Sequence, residues 1–215
     1  MRLLVARHGA TQHNLEARFT GQIDAPLSAL GVRQAEALAS RLLPLRLDVI
    51  ISSDLSRARQ TAEVIAAGRS QSVELEPGLR EISMGDWEGR AVSEVQREWP
   101  DLFARLECDP MGLTAAPHGE TWAQFVARVD GVLTRCRERF SEGDVLWVAH
   151  GGVISALLIR ALGLDYDRRR QFARGNASLF ELVYNPSGVV IVRANDTAHL
   201  NQLRMEQEGE QFQAL

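Results

Sequence analysis

Residues 2–9 read RLLVARHG, and residues 144–152 read DVLWVAHGG. Each stretch is a continuous apolar run that stops at a histidine followed by glycine. Such runs are typical of strands that are buried on both faces in a parallel sheet. The two stretches therefore predict two strands of one sheet, with His8 and His150 at the ends where the strands stop.

The remaining chain alternates between strand and helix patterns. A third apolar run, residues 48–51, stops at Ser52, and a short strand is predicted at residues 73–75. Helical spacing of apolar residues predicts helices that begin near Ser28, Ser56, Gly119 and Val153. Two late strands, 177–184 and 189–193, flank a hairpin turn. The pattern predicts an α/β fold with three layers, α/β/α, and a mostly parallel central sheet that carries an antiparallel edge strand.

The length of 215 residues suits one domain. We predict a single domain over residues 1–204, with a small cap around residues 82–120. Within the cap region, residues 92–99 are predicted as a short helix and residues 100–117, which show no strong periodicity, as loop or small cap. The Gln- and Glu-rich residues 205–215 are predicted to form a loosely ordered tail.

The composition is that of a globular protein, with 45% hydrophobic and 24% charged residues. The net charge of −4 gives no overall attraction to nucleic acid or to an anionic membrane. No apolar run approaches the ~20 residues of a membrane helix, and no leader pattern opens the chain, so we expect a cytoplasmic protein. Cys108 and Cys136 have no metal-binding spacing.

Polar residues at strand ends predict the functional site, because ligands bind beyond the carboxyl ends of strands in such sheets. If the strands are neighbours, His8 and His150 converge there with Arg7 and Arg57. A phosphate dianion is the natural partner of such a cationic cluster. Glycine after each histidine lets backbone N–H groups approach an anion, and helices starting after Ser56 and Gly151 would direct their positive ends to it.

Histidine indicates chemistry beyond binding, since a neutral imidazole is a good nucleophile toward phosphorus. We predict His8 as the phosphoryl acceptor. The leaving oxygen needs a proton, and Glu81 is the carboxylate that we assign to supply it. From spacing alone three other carboxylates remain alternatives, namely Asp54, Asp86 and Glu88.

Five motifs, in order along the chain, resemble those of the histidine phosphatase superfamily, which has the phosphoglycerate mutase-like fold. They are Arg7-His8-Gly9-Ala10-Thr11 with Asn14, Thr20-Gly21 with Asp24-Ala25-Pro26-Leu27-Ser28, Ser52-Ser53-Asp54-Leu55-Ser56-Arg57-Ala58-Arg59-Gln60-Thr61, Leu79-Arg80-Glu81 with Gly85-Asp86-Trp87-Glu88-Gly89, and Gly119-Glu120-Thr121 followed by Ala149-His150-Gly151-Gly152. The similarity spans most of residues 1 to about 200.

The resemblance implies that His8 accepts the phosphoryl group and that Glu81 is the proton donor. It implies that Arg7, Arg57 and His150 complete the phosphate pocket. The substrate side is expected to include Asn14, Thr20, Gly21, Gln22, Gly151 and His118. No metal or other cofactor is expected.

The sequence departs from the family pattern at two places, which bear on the expected pocket contacts and on the expected branch of the family. Ala10 stands where many relatives carry Glu or Gln, so one polar contact would be missing. Residues 82–89, ISMGDWEG, and residues 195–200, NDTAHL, resemble the bacterial phosphatase branch, which includes broad-specificity and α-ribazole phosphatases, more than the glycolytic mutases.

Several charged residues have structural interpretations. Arg59 is predicted to form a structural salt bridge, and Glu88 to act through caps or ion pairs. Glu120 is expected to satisfy donors at a helix start. His118 is left open between a substrate contact and a solvent-facing loop position.

The leading functional prediction is a phosphatase acting on a small phosphorylated metabolite. A mutase and a non-catalytic phosphoryl-binding protein are the alternatives. A mutase requires a site closed to water, and a non-catalytic relative would typically lose His8, Glu81 or His150. We expect neither a nucleic acid nor a membrane partner, and a homodimer is a reasonable expectation that no residue pattern specifies.

Overall fold

The computed structural model describes residues 1–108, 116–165, 168, 171–203, 205 and 206. Part of the predicted cap and nearly all of the predicted tail lie outside the described residues. The strands are β1 (Arg2–Arg7), β2 (Val49–Ser52), β3 (Val73–Leu75), β4 (Asp144–Ala149), β5 (Leu179–Asn185) and β6 (Gly188–Asp196).

The six strands form one sheet in the order β3-β2-β4-β1-β5-β6. The first four are mutually parallel, whereas β5 is antiparallel to β1 and β6 is antiparallel to β5. The predicted fold is confirmed, with one refinement: the hairpin supplies two strands, so antiparallel β5 lies one place in from the edge. Arg7 pairs with Ala149 across β1 and β4, and His8 and His150 therefore leave the sheet at the same level.

Helices cover both faces of the sheet. They are α1 (Gln12–Leu15), α2 (Ala29–Leu42), α3 (Ser56–Ala67), α4 (Val92–Glu98), α5 (Pro100–Cys108), α6 (Trp122–Arg139) and α7 (Gly151–Leu162). Short 3₁₀ turns lie at Pro77–Leu79, Gly85–Trp87 and Ala198–Leu200.

Alternate residues of the central strands point into two separate cores, as the period of two in a strand requires. Leu3 and Val5 of β1 pack into a core with α6 and α7 on one face. Leu4 and Ala6 pack into a second core with α2 and α3 on the other. The strands at the centre are therefore apolar on both faces, and polar chemistry is confined to their ends.

The structure decides one local prediction in the cap region and shows that another is wrong. Residues 100–108, predicted as loop or small cap, form α5, in which Pro100 occupies a helix start that tolerates its missing N–H. Leu102 and Phe103 of this helix pack against a small core around Trp87. Glu120 does not cap α6; the Thr121 side chain accepts the hydrogen bond from the Gln124 N–H instead.

Within the part of the chain that the structure describes, no helix is both long enough and apolar enough to span a bilayer.

Candidate active site

A cavity of about 460 Å³ opens beyond the carboxyl ends of β1 and β4. Polar and apolar side chains share its wall. The lining residues are Arg7, His8, Asn14, Arg18, Phe19, Thr20, Gly21, Arg57, Glu81, Ile82, Met84, Trp122, Gly151, Gly152, Phe172, Ala173 and Arg174. The topology thus brings the strand-end residues together as predicted.

His8 lies directly after β1 and is only 3% exposed. Its Nδ1 lies 2.7 Å from the Gly9 carbonyl oxygen, which can only accept, so Nδ1 carries the proton and donates. Burial, with the charges of Arg57 and Arg7, holds the pKa of His8 well below its ordinary value. The ring is therefore neutral at pH 7, with the lone pair on Nε2.

His150 lies directly after β4 and is fully buried. Its ring centroid is 5.1 Å from that of His8, and its Nε2 lies 2.9 Å from Ser53 Oγ. Ser53 Oγ also accepts from the Leu55 N–H, at 3.3 Å. Nδ1 has no hydrogen-bond partner among the described residues. Burial and Arg57 hold the pKa of His150 well below its ordinary value.

Two guanidinium groups flank the imidazoles. Arg57, in the first turn of α3, donates from Nη1 to the Ile23 carbonyl at 2.8 Å and from Nη2 to the Gly21 carbonyl at 2.7 Å. Burial, partly opposed by Glu81, lowers its pKa to about 10, so it stays cationic at pH 7. Arg7, at the end of β1, donates to the Arg174 carbonyl, and burial lowers its pKa.

Glu81 reaches the same place from an irregular segment. Its carboxylate accepts hydrogen bonds from the Gly152 N–H, 3.1 Å from each oxygen, and from the Ile82 N–H at 3.0 Å. A methyl group on Gly152 would lie 2.1 Å from Glu81 Oε1, so only glycine admits the carboxylate at the start of α7. A methyl group on Gly151 would lie 3.7 Å from Arg7 Nε and 3.9 Å from Glu81 Oε2, so the guanidinium and the carboxylate both approach the start of α7 at Gly151.

Two expectations about anion-binding backbone groups are wrong. The Gly9 N–H donates to Thr61 Oγ1 at 3.1 Å, and this glycine is required because a side chain would meet the Gly31 carbonyl oxygen at 2.3 Å. The N-terminal Ser56 N–H of α3 is occupied by Asp24, whose carboxylate lies 2.6 Å away. The bond from Ser56 lowers the pKa of Asp24, so a carboxylate already sits at this helix end.

Most of the predicted substrate-side residues lie where expected. Asn14, Thr20, Gly21 and Gly151 line the cavity. Gln22 lies behind the wall, and its Nε2 donates to the Glu81 carbonyl at 3.1 Å.

His118 lies elsewhere. Its side chain is 85% exposed, and its ring nitrogen lies 3.1 Å from Asp86. The structure thus favours the solvent-facing alternative for this residue and does not bring it into the cavity wall. Ala10 is buried, and its side chain does not line the cavity.

The other carboxylates near the site have structural partners. Asp54 forms a two-point salt bridge with Arg80, at 2.7 and 2.5 Å. Glu88 accepts from the backbone N–H groups of Gln22 and Met84, each at 2.9 Å, and so ties two loops together. The expected salt bridge of Arg59 is formed with Glu63, at 3.4 Å on the exposed face of α3.

Sequence reasoning missed several residues in and around the cavity, among them Arg174 and Asn176. Arg174 lines it next to Arg7, and its side chain donates to Ser155 Oγ. Asn176 donates from Nδ2 to the His8 carbonyl at 3.2 Å and to Asn14 Oδ1 at 3.1 Å. Both lie in a loop before β5 that carries no periodic pattern. The sequence signal that could have found them is their position just before β5, a strand that pairs with β1.

No group of three or more potential metal-ligating His, Cys, Asp or Glu side chains occurs among the residues that the structure describes.

The chain matches the profile of the histidine phosphatase superfamily (branch 1) over residues 3–197. Curated relatives include the probable phosphoglycerate mutase GpmB of Proteus mirabilis, 32% identical, and that of Yersinia pestis (strain Pestoides F), 33% identical. Each alignment covers 96% of this chain and 98% of the relative.

Solved structures show the same fold. A phosphoserine phosphatase mutant from Entamoeba histolytica, in complex with phosphoserine, is similar with a TM-score of 0.84 and 26% identity, covering 93% of this chain and 98% of that one. The α-ribazole phosphatase from Shigella flexneri is similar with a TM-score of 0.82 and 28% identity, covering 91% and 96%. Together with the profile match over almost the whole chain, this similarity confirms the predicted resemblance: the chain belongs to the histidine phosphatase superfamily.

Proposed function

We propose that the protein is a metal-independent phosphatase that hydrolyses phosphate monoesters of small metabolites through a phosphohistidine on His8. One observation carries the proposal: the 2.7 Å bond from His8 Nδ1 to the Gly9 carbonyl, which leaves the lone pair on Nε2 beside the cavity. A bound phosphate would lie among the guanidinium groups of Arg7 and Arg57, whose charges stabilise the developing negative charge in the transition state.

In the first step His8 Nε2 attacks phosphorus, and the bond from phosphorus to the ester oxygen breaks. The leaving oxygen takes its proton from Glu81, whose carboxylate approaches Gly151 as the Arg7 guanidinium does. His150, whose ring centroid lies 5.1 Å from that of His8, is proposed as a neutral member of the phosphate pocket.

In the second step the Glu81 carboxylate takes a proton from water, and the resulting hydroxide attacks phosphorus. The nitrogen–phosphorus bond breaks, which releases phosphate and restores His8. Splitting the hydrolysis in this way replaces one difficult step by two easier ones.

The substrate is proposed to be a small phosphorylated metabolite, since a cavity of about 460 Å³ admits a molecule of that size. Structural neighbours named as phosphatases of phosphoserine, of glucosyl-3-phosphoglycerate and of α-ribazole phosphate support a phosphatase. We propose that the protein is cytoplasmic and assembles as a homodimer. We also propose that it binds neither nucleic acid nor membranes.

The second candidate is a phosphoglycerate mutase-type transfer, which the names of the curated relatives favour. A mutase returns the phosphoryl group from His8 to the substrate before water reaches it. The two activities share the first step and differ only in the acceptor of the second.

The test is phosphate release from a panel of small phosphate esters, with and without a chelator. We expect release that resists the chelator and falls at least about a thousandfold in His8→Ala. Interconversion of phosphoglycerates without phosphate release would assign the mutase activity instead. Release that survives in His8→Ala would overturn the phosphohistidine mechanism.

A further inference from the structure

The segment that carries Glu81 belongs to no strand or helix, yet the proposed proton donor must be held accurately. Residues 80–84 lie between two 3₁₀ turns and have no sheet neighbour to set their position. Contacts from other parts of the chain must therefore determine where the Glu81 carboxylate lies.

Arg128, on α6, supplies several of these contacts. Its Nη1 donates to the carbonyls of Gly78 and Arg80, each at 2.9 Å, and its Nη2 donates to the carbonyl of Glu81 at 3.4 Å. A single guanidinium thus bridges three backbone carbonyls, the last of which belongs to Glu81 itself.

Glu120 holds the guanidinium from the other side. Its oxygens accept from Arg128 Nε at 3.0 Å and from Nη2 at 2.7 Å, and Oε2 also accepts from the Ser83 N–H at 3.3 Å. All five N–H donors of Arg128 therefore have acceptors, three on the Glu81 segment and two on Glu120. The pair is largely buried, with side-chain exposures of 24% and 16%.

The Arg128 side chain also lies over Phe125, with Cζ 5.1 Å from the ring centroid. Phe125 packs beside Gly152, since a methyl group there would lie 3.1 Å from Phe125 Cζ. Gly152 donates the N–H that binds the Glu81 carboxylate. The same guanidinium is thus connected to both ends of Glu81, its backbone carbonyl directly and its carboxylate through Phe125 and Gly152.

We infer that the Arg128–Glu120 pair is a positioning element for Glu81, which sets the geometry of proton donation to the leaving oxygen without touching the substrate. This inference rests on the proposed function. Lysine cannot replace Arg128, because one ammonium group cannot span three carbonyls and a carboxylate.

The test compares kcat/KM for two esters, p-nitrophenyl phosphate, whose leaving group departs as a stable anion, and phosphoserine or another alkyl phosphate, whose leaving group needs a proton. This parameter reports only steps up to loss of the leaving group. We expect Arg128→Ala to lose about a hundredfold with the alkyl ester and less than about threefold with p-nitrophenyl phosphate. Glu81→Gln should show the same selectivity, and Arg128→Lys an intermediate loss.

Arg135→Ala is the matched control, because Arg135 lies on the same helix and pairs with Glu76 at the surface. It should leave both rates within about twofold of the native protein. If Arg128→Ala does not fold, Glu120→Gln, which keeps the side-chain volume, should still show a smaller loss confined to the alkyl ester.

Equal losses with both esters would overturn the inference, because Arg128 would then act on phosphate binding or on His8. A native protein inactive toward every ester would instead remove the proposed function on which the inference rests.

Discussion

The two sides of the cavity are built in different ways. On one side, His8 and His150 directly follow neighbouring parallel strands, so the hydrogen bonds of the sheet fix the strand ends that carry them. On the other, Glu81 lies in irregular chain and depends on bonds from Gly152, Gln22 and Arg128. The phosphate side is thus carried by the sheet, whereas the position of the proton donor depends on a few contacts with distant segments.

The largest effect is expected on the phosphate side of the cavity, at Arg57. Arg57→Ala removes a buried cation and also the anchors of the Gly21 and Ile23 carbonyls. We expect kcat/KM for every ester to fall about a thousandfold, because charge stabilisation and loop position are lost together. Steady-state kinetics on both an aryl and an alkyl ester test this; a loss confined to the alkyl ester would contradict it.

A smaller effect is expected where the two sides meet, at Gly152. In Gly152→Ala the added methyl group would lie 2.1 Å from Glu81 Oε1, so the carboxylate must move. We expect kcat/KM for alkyl esters to fall about a hundredfold, as displacements of about 1 Å commonly do.

Gly131→Ala is the control for this substitution, since a methyl group there meets nothing closer than 3.5 Å. It should keep full activity and stabilise the helix slightly. Equal activity of the two alanine variants would show that Glu81 tolerates displacement.

The two buried histidines of the phosphate side also lead us to expect that the stability of the protein depends on pH. The folded-state pKa values of His8 and His150 lie well below 6.5, so below pH 6.5 the unfolded chain binds more protons than the folded chain. The free energy of unfolding should therefore fall as the pH drops below 6.5, by at most about 1.4 kcal/mol per pH unit for each histidine.

Urea unfolding at pH 7.5 and at pH 5.5 measures this difference. The His8→Gln variant lacks one of the two buried histidines. The difference between its free energies of unfolding at the two pH values should therefore be about half that of the native protein. A native protein equally stable at both pH values would show that the two imidazoles titrate alike in the folded and unfolded states.

The smallest effect is expected at Arg59, two residues from Arg57. Its salt bridge with Glu63 is exposed, at 3.4 Å, and such pairs contribute about 0.3–0.5 kcal/mol. Arg59→Ala should change the free energy of unfolding by no more than that and leave kcat/KM unaltered. A tenfold loss of kcat/KM in Arg59→Ala would contradict this expectation and would show that Arg59, although outside the cavity wall, belongs to the phosphate side of the site.

The two sides of the cavity also differ in how much of each could be predicted from the sequence. The strand-end residues could be predicted because an apolar run that stops at a histidine marks a sheet edge, and parallel strands bring their ends together. Glu81 lines the cavity, and its role as proton donor stays a prediction, since spacing alone leaves Asp54, Asp86 and Glu88 as alternatives. The structure removes Asp54 and Glu88 from the cavity lining by pairing them elsewhere.

The contacts that hold Glu81 could not be predicted. Arg128 is 47 positions from Glu81 along the chain, and its acceptors there are backbone carbonyls, which every residue possesses. Glu120 was interpreted as a helix cap because a carboxylate before a helix commonly plays that role. Only the packing of α6 against the segment directs it to Arg128.

The sequence by itself determined the layered fold, the strand-end histidines and arginines, and the family, because periodic apolar patterns and ordered motifs are written in residue types. The tertiary structure alone decided which donors hold Glu81, why Gly9 must be glycine, and that Asp24 occupies the start of α3. The physical reason is that these contacts join distant segments through backbone atoms or through the space that a missing side chain leaves, and neither is encoded by a local pattern.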